Sequence, residues 1–164
     1  MATIWKGSDV SAAIDARTKE AVDKLRRRGV QPTLAIVRVG ESGDDVTYER
    51  GAVKRAESVG VRVVKYALPQ QVAERDLIRR IRLLGRSRGV HGILLLRPLP
   101  DGIDDARVFS AIAPEKDVDG VTAGSLAGVF AQTNLGFPPC TAEACMEILD
   151  YYGVDPAGKR AVVV

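Results

Sequence analysis

Three short runs rich in β-branched and aliphatic residues, TLAIVRV at 33–39, VRVVKYAL at 61–68 and VHGILLL at 90–96, are separated by stretches of helical periodicity. Short continuous apolar runs of this kind read as strands buried on both faces. A helix between two such strands is the connection that a parallel pair requires, because a tight turn cannot bring the chain back to the same end. The chain is therefore predicted to be α/β: a three-layer α/β/α domain with a mainly parallel sheet and right-handed crossovers.

The helical stretches have their own punctuation. Val10, Ile14, Ala21, Val22 and Leu25 follow the helical period, with Ser8 expected as the cap and Gly29 as the stop. A turn-rich stretch at 40–45 leads into a helix over 46–58, closed by Gly60. Val72, Leu77, Ile78, Ile81 and Leu84 predict a further amphipathic helix. Two prolines and a glycine make 97–103 irregular, and a short helix is expected over 104–111, followed by an acidic loop at 114–120. After another loop at 134–140, Thr141 is expected to cap a helix running to about residue 152, and GKRAVVV at 158–164 reads as a turn entering a new strand.

Composition excludes several classes. With 46% hydrophobic and 27% charged residues in 164, the chain can bury a core and is not disordered, and two cysteines cannot make a disulfide scaffold. Cys140 and Cys145 are expected as packed thiols in a reducing compartment. There is no apolar run of the ~20 residues that span a bilayer, and 1–9 lacks the layout of a signal peptide, so a cytoplasmic protein without membrane partners is expected. The formal charge of +3 is unevenly spread: residues 74–88 carry six arginines against Glu74 and Asp76, while 104–119 carry five acids against Arg107 and Lys116. With aromatics at 5%, few side chains could stack on bases, so the basic excess reads as a solvated helix face and no nucleic-acid partner is expected. A nucleic-acid-binding α/β module using Arg79 and Arg82 is the alternative. His91, the single histidine, lies in an apolar run and reads as structural; no metal site is expected.

What chemistry there is should sit on loops at the strand ends, where parallel sheets bind ligands. Four segments occur there in a fixed order: VGESGDDVTY, from the turn at Gly40 to Tyr48; GILLLRPLP at 92–100; PEKDVDG at 114–120; and PCT at 139–141. In order and spacing they resemble the methylenetetrahydrofolate dehydrogenase/methenyltetrahydrofolate cyclohydrolase family, PEKDVDG being the most specific. The resemblance covers nearly the whole chain. It implies a folate-binding catalytic domain at 1–150, then a linker and the first strand of a Rossmann-like NADP-binding domain at 151–164, the remainder of that domain lying outside these residues. Tetrahydrofolate derivatives are the implied substrates, NADP or NAD the implied cofactor of an intact homodimeric enzyme. Neither cofactor is expected to bind this chain alone, which should then be inactive.

The family's folate-side residues transfer one at a time. The tyrosine of its Y-x-x-x-K helix is Tyr48 and the aspartate of its VDG turn is Asp119, both implied as catalytic and substrate-binding. Leu96 and Pro98 of the PLP loop are implied to line the substrate site. The lysine position, however, is Ala52, and the glutamine before the PLP loop is Leu96. The family's lysine serves methenyl hydrolysis, which needs an amine of adjustable pKa; alanine and leucine supply none. Lys54 is two residues on, about 200° around the helix, and should face away. Arg97 stays protonated and is a poor base. Hydride transfer leans on the cofactor, so a dehydrogenase with lost or weak cyclohydrolase is expected. A bifunctional enzyme and a non-catalytic folate-binding module are the alternatives. Asp45 adds charge at the cleft mouth, and Thr122, Ser125 and Ala142 are further departures expected to reshape the pocket.

Overall fold

The computed structural model describes residues 4–162. Its order is α1 (Gly7–Arg27), β1 (Thr33–Val39), α2 (Gly43–Ser58), β2 (Arg62–Leu68), α3 (Glu74–Arg86), β3 (Gly92–Leu95), α4 (Asp105–Phe109), a 3₁₀ turn at Pro114–Lys116, α5 (Ala123–Ala131) and α6 (Cys140–Tyr151). The three strands form one parallel sheet in the order β2-β1-β3, with Thr33 opposite Arg62 and Leu34 opposite Gly92. The predicted α/β architecture is therefore the observed one.

Alternation along the central strand assigns its two faces. Ala35, Val37 and Val39 join a core with Leu77, Ile81 and Leu84 of α3 and Val108 of α4. On the other face, the side chain of Arg38 meets Glu49 of α2 at 2.9 Å, and Lys65 of β2 reaches the same carboxylate at 3.4 Å. Helices thus cover both faces. Burial alone would push the Glu49 carboxyl up, but hydrogen bonds from Arg38 and Lys65 outweigh it and hold the group below the usual range. Arg38 also donates to the carbonyl of Gly40, fixing the turn that leads from β1 into α2.

Several helix boundaries differ from expectation. Helix α1 begins at Gly7 after Lys6, which makes no side-chain cap, and Ser8 lies inside the first turn, donating to Asp9 instead. Helix α2 starts earlier than predicted because Ser42 accepts from the Asp45 amide, while Asp44 and Asp45 complement the positive end of the helix. Helix α6 follows Pro139, so Thr141 sits in its first turn and does not cap it. Helix α5 was not anticipated at all. His91 precedes β3, is exposed, and accepts from the Thr33 amide at 3.2 Å, a structural role as expected though not a buried one. Of the strand expected over 161–164, Ala161 and Val162 carry no strand, and Val163 and Val164 lie outside the described residues. No helix among the described residues is long and apolar enough to cross a membrane.

Gly92 opens β3 where a bulkier residue would not fit: a Cβ there would lie 2.5 Å from Val118 Cγ1. That close approach lets the 117–120 segment lie along the sheet edge, with Asp117 bridged in parallel to Ile93. Lys116 pins the same segment from the other side, donating to the carbonyls of Gly85 (2.7 Å) and Ser87 (2.8 Å) at the end of α3.

Candidate functional site

At the C-terminal ends of β1 and β3, where the carbonyl edge of a parallel sheet opens onto its loops, lies a cleft of about 660 Å³. One wall is the first turns of α2, contributing Asp44, Asp45 and Tyr48. Leu94, Leu95 and Leu96 make the floor, and Arg97 and Pro98 continue it where the chain leaves the strand. Asp105 of α4, Asp119 and Thr141 complete the enclosure.

The structure thus brings Tyr48, Leu96, Pro98 and Asp119 into one cleft although they are up to 71 residues apart (119 minus 48). Tyr48 presents its ring openly, at 62% exposure, while Leu96 is buried at 5%. Ala52 sits one turn after Tyr48, half-buried, and does not line the cleft; Lys54 is exposed and does not line it either. Asp45 lines the cleft. Among the described residues the cleft carries four carboxylates, Asp44, Asp45, Asp105 and Asp119, against one cation, Arg97.

Arg97, weighed in the sequence only as a poor base, turns out to pair with a predicted site residue. Its Nη2 lies 3.2 Å from Asp119 Oδ2, and its guanidinium sits over the Phe109 ring, 5.8 Å from the centroid. Among the described residues, Arg97 supplies the one side-chain hydrogen bond to Asp119. A charged residue directly after an apolar strand was the available signal; its pairing with a carboxylate 22 positions on was not visible.

Behind Asp119 lies a buried polar network. Asp117, 1% exposed, accepts through Oδ2 from the Thr122 amide at 2.8 Å and from the Ser125 hydroxyl at 2.7 Å. Thr122 in turn caps α5 through the Ser125 amide at 3.1 Å and donates its hydroxyl to Ser125 Oγ at 3.0 Å. Burial would raise the Asp117 carboxyl, but the Ser125 hydroxyl, with Thr122 and the Val121 amide, overrides it and holds the group below its ordinary value. Its Oδ1 finds no hydrogen bond of good geometry among the described residues. Thr122 and Ser125, expected to reshape the ligand pocket, are instead buried supports of the turn that carries Asp119, and Ala142 is exposed outside the cleft. Gly120 closes the turn with φ +66°, and a Cβ on it would stand 2.5 Å from the Pro138 carbonyl.

The cysteines are not packed as expected: both are free and exposed. Partial burial of the sulfur, reinforced by Asp119, Asp117 and Glu143, pushes the Cys140 thiol up, and its Sγ donates to the Val118 carbonyl at 3.1 Å. A thiol so disposed is a poor nucleophile. No group of three or more potential metal ligands occurs among the described residues. A separate groove of about 390 Å³ on α3 is lined by Arg75, Arg79, Arg82 and Arg86 with Ile78 and Leu83.

Residues 5–119 match the family described as tetrahydrofolate dehydrogenase/cyclohydrolase, catalytic domain. The bifunctional protein FolD of Carboxydothermus hydrogenoformans is 43% identical over 164 residues, which is 100% of this chain and 57% of that protein. The chain thus spans little more than half the length of such relatives. The crystal structure of the bifunctional enzyme FolD, methylenetetrahydrofolate dehydrogenase/cyclohydrolase, from Campylobacter jejuni superposes with a TM-score of 0.90 at 31% identity, covering 93% of this chain and 54% of that one. The Trypanosoma brucei methylenetetrahydrofolate dehydrogenase-cyclohydrolase, complexed with NADP cofactor and inhibitor, gives 0.87 at 34% identity over 97% and 55%.

Proposed function

Since the chain belongs to the tetrahydrofolate dehydrogenase/cyclohydrolase family, we propose that its cleft is the folate side of an NADP-dependent methylene-tetrahydrofolate dehydrogenase in which methenyl hydrolysis is weak or lost. Residues 1–150 would form the folate-binding unit and 151–164 the connection to a cofactor-binding unit. The observation that carries this reading is the convergence of Tyr48, Leu96, Pro98 and Asp119 on one cleft.

Each side chain then has a task it is physically suited to. The exposed Tyr48 ring offers a face on which a planar heterocycle stacks. Asp119, ionised, accepts from the N–H groups of the pterin edge, a pairing worth more than a neutral one because its acceptor is charged. The leucine floor keeps water away from the one-carbon bridge. NADP supplies the hydride acceptor in the intact protein. The cleft residues do not suit its phosphates, since four carboxylates face them.

Hydrolysis of the methenyl bridge asks for more: a group that takes a proton from water. The family resemblance implies a lysine and glutamine pair at two positions where this chain has Ala52 and Leu96, and the remaining cation, Arg97, does not release its proton. The test is kinetic. A protein that includes the cofactor unit is expected to reduce NADP with methylene-tetrahydrofolate while opening methenyl-tetrahydrofolate little faster than buffer does. Absence of NADP reduction overturns the dehydrogenase; rapid hydrolysis overturns the loss. A52K with L96Q is expected to raise hydrolysis without raising NADP reduction.

A further inference from the structure

We propose that Arg97 is a positioning residue that holds Asp119 for the amino edge of the ligand, and so sets the cleft's preference for a pterin over the same ring lacking its 2-amino group. The inference rests on the folate reading above and assigns a role to a residue which that reading does not use.

Three observations carry it. First, Asp119 sits in a turn whose backbone is anchored by Asp117 and Gly120, yet its own carboxylate is bound by Arg97 alone among the described residues, at 3.2 Å. Without that contact the side chain would rotate freely, and a ligand would have to order it on binding. Second, Arg97 is itself held: its guanidinium lies over the Phe109 ring of α4 at 5.8 Å while its fork reaches Asp119. Both contacts fall on the guanidinium, so the head group is held against the ring and the carboxylate together. Third, the contact uses Oδ2, and an ionised carboxylate has about four lone-pair sites in all, so capacity remains for a ligand's donors beside the guanidinium.

Charge supports the same role. Among the described residues, Arg97 is the single cation lining the cleft with Asp44, Asp45, Asp105 and Asp119. Removing it leaves the cleft with four unneutralised carboxylates, a poor place for a folate whose glutamate tail is itself anionic. The loss of Arg97 should therefore weaken binding generally, through charge, and weaken recognition of the ring amine specifically, through the position of Asp119. Only the second effect is diagnostic.

The experiment measures binding of tetrahydrofolate and of its 2-desamino analogue by anaerobic calorimetry, on the full-length protein and its R97L, D119N and R97L/D119N variants, with thermal melts to verify folding. Wild type is expected to prefer tetrahydrofolate by about tenfold or more, the worth of a hydrogen bond to a charged group. R97L is expected to lose most of that preference, D119N all of it, and the double variant to match D119N, since Arg97 acts through Asp119. Preservation of the wild-type preference in folded R97L overturns the proposal, as does a preference that falls further in the double variant than in D119N. If wild type binds no tetrahydrofolate, the folate reading itself falls and this one with it.

Discussion

Replacing Ser125 by alanine removes one oxygen from the interior, and the surrounding geometry says what that costs. Ser125 is fully buried, and its hydroxyl donates to Asp117 Oδ2 at 2.7 Å while accepting from Thr122 Oγ1 at 3.0 Å. The first of these is a hydrogen bond to a buried charge whose other oxygen, Oδ1, is already without a good partner. Water cannot readily take the hydroxyl's place: Gly136 packs so closely that a Cβ on it would meet Ser125 Oγ at 2.4 Å. A lost hydrogen bond to a charged group, with part of that charge left unsatisfied, amounts to about 3 kcal/mol. For a chain of this size that corresponds to a fall in Tm of roughly 6–12 °C. Urea unfolding and calorimetry measure it directly. The variant should also lose a pH dependence. Asp117 titrates below its ordinary value in the folded chain, so it contributes stability that is complete above the ordinary carboxylate range and is lost as the pH falls through the depressed native value. In S125A that acid-side loss should shrink, because the leading hydrogen bond that lowers the carboxyl is gone. A change under about 0.5 kcal/mol, the level of an ordinary surface substitution, would refute the network's role.

Other perturbations test other parts of the structure. E49A strands the buried Arg38 guanidinium and should cost about 3–5 kcal/mol in urea unfolding, whereas replacing both partners by apolar residues of similar volume should cost far less. G120A meets both a positive φ and the Pro138 carbonyl; it should lower Tm and, where the protein still folds, weaken tetrahydrofolate binding through the displaced Asp119 turn. Y48A should leave Tm nearly unchanged, since the ring is 62% exposed, while weakening the same ligand by about five- to a hundredfold, the usual worth of a stacking platform.

Much of the fold could be read from residue patterns because the patterns are local. Strand β1 matches its apolar run residue for residue, since TLAIVRV is β-branched and flanked by turns. Starts of helices were harder. Gly43, Asp44 and Asp45 look like loop, yet at a helix N-terminus acids are favourable and Ser42 supplies the cap. Helix α5 escaped because AGSLAGVFA holds two glycines and no polar stripe; what fixes it is the Thr122 cap and the close seat of Gly128 against Leu135, which are tertiary. For the candidate site, the grouping of Tyr48, Leu96, Pro98 and Asp119 was implied by the family resemblance of the loop segments, not by residue patterning alone. The engagement of Arg97 with Asp119, and the burial of Thr122 and Ser125 behind the turn, depend on how two loops pack and leave no periodic trace.

The burial of Leu96 also says something about which changes at this position are reversible. A leucine at 5% exposure gains about 1.5–3 kcal/mol from leaving water, whereas a glutamine in the same place must find partners for its amide or destabilise the fold. Ala52 leans the same way more gently, as the strongest helix former in the interior of α2. Replacing these residues by a lysine and a glutamine, as in A52K with L96Q, therefore runs uphill in stability. A polar pair at positions 52 and 96 would call for a compensating gain in packing elsewhere in the core.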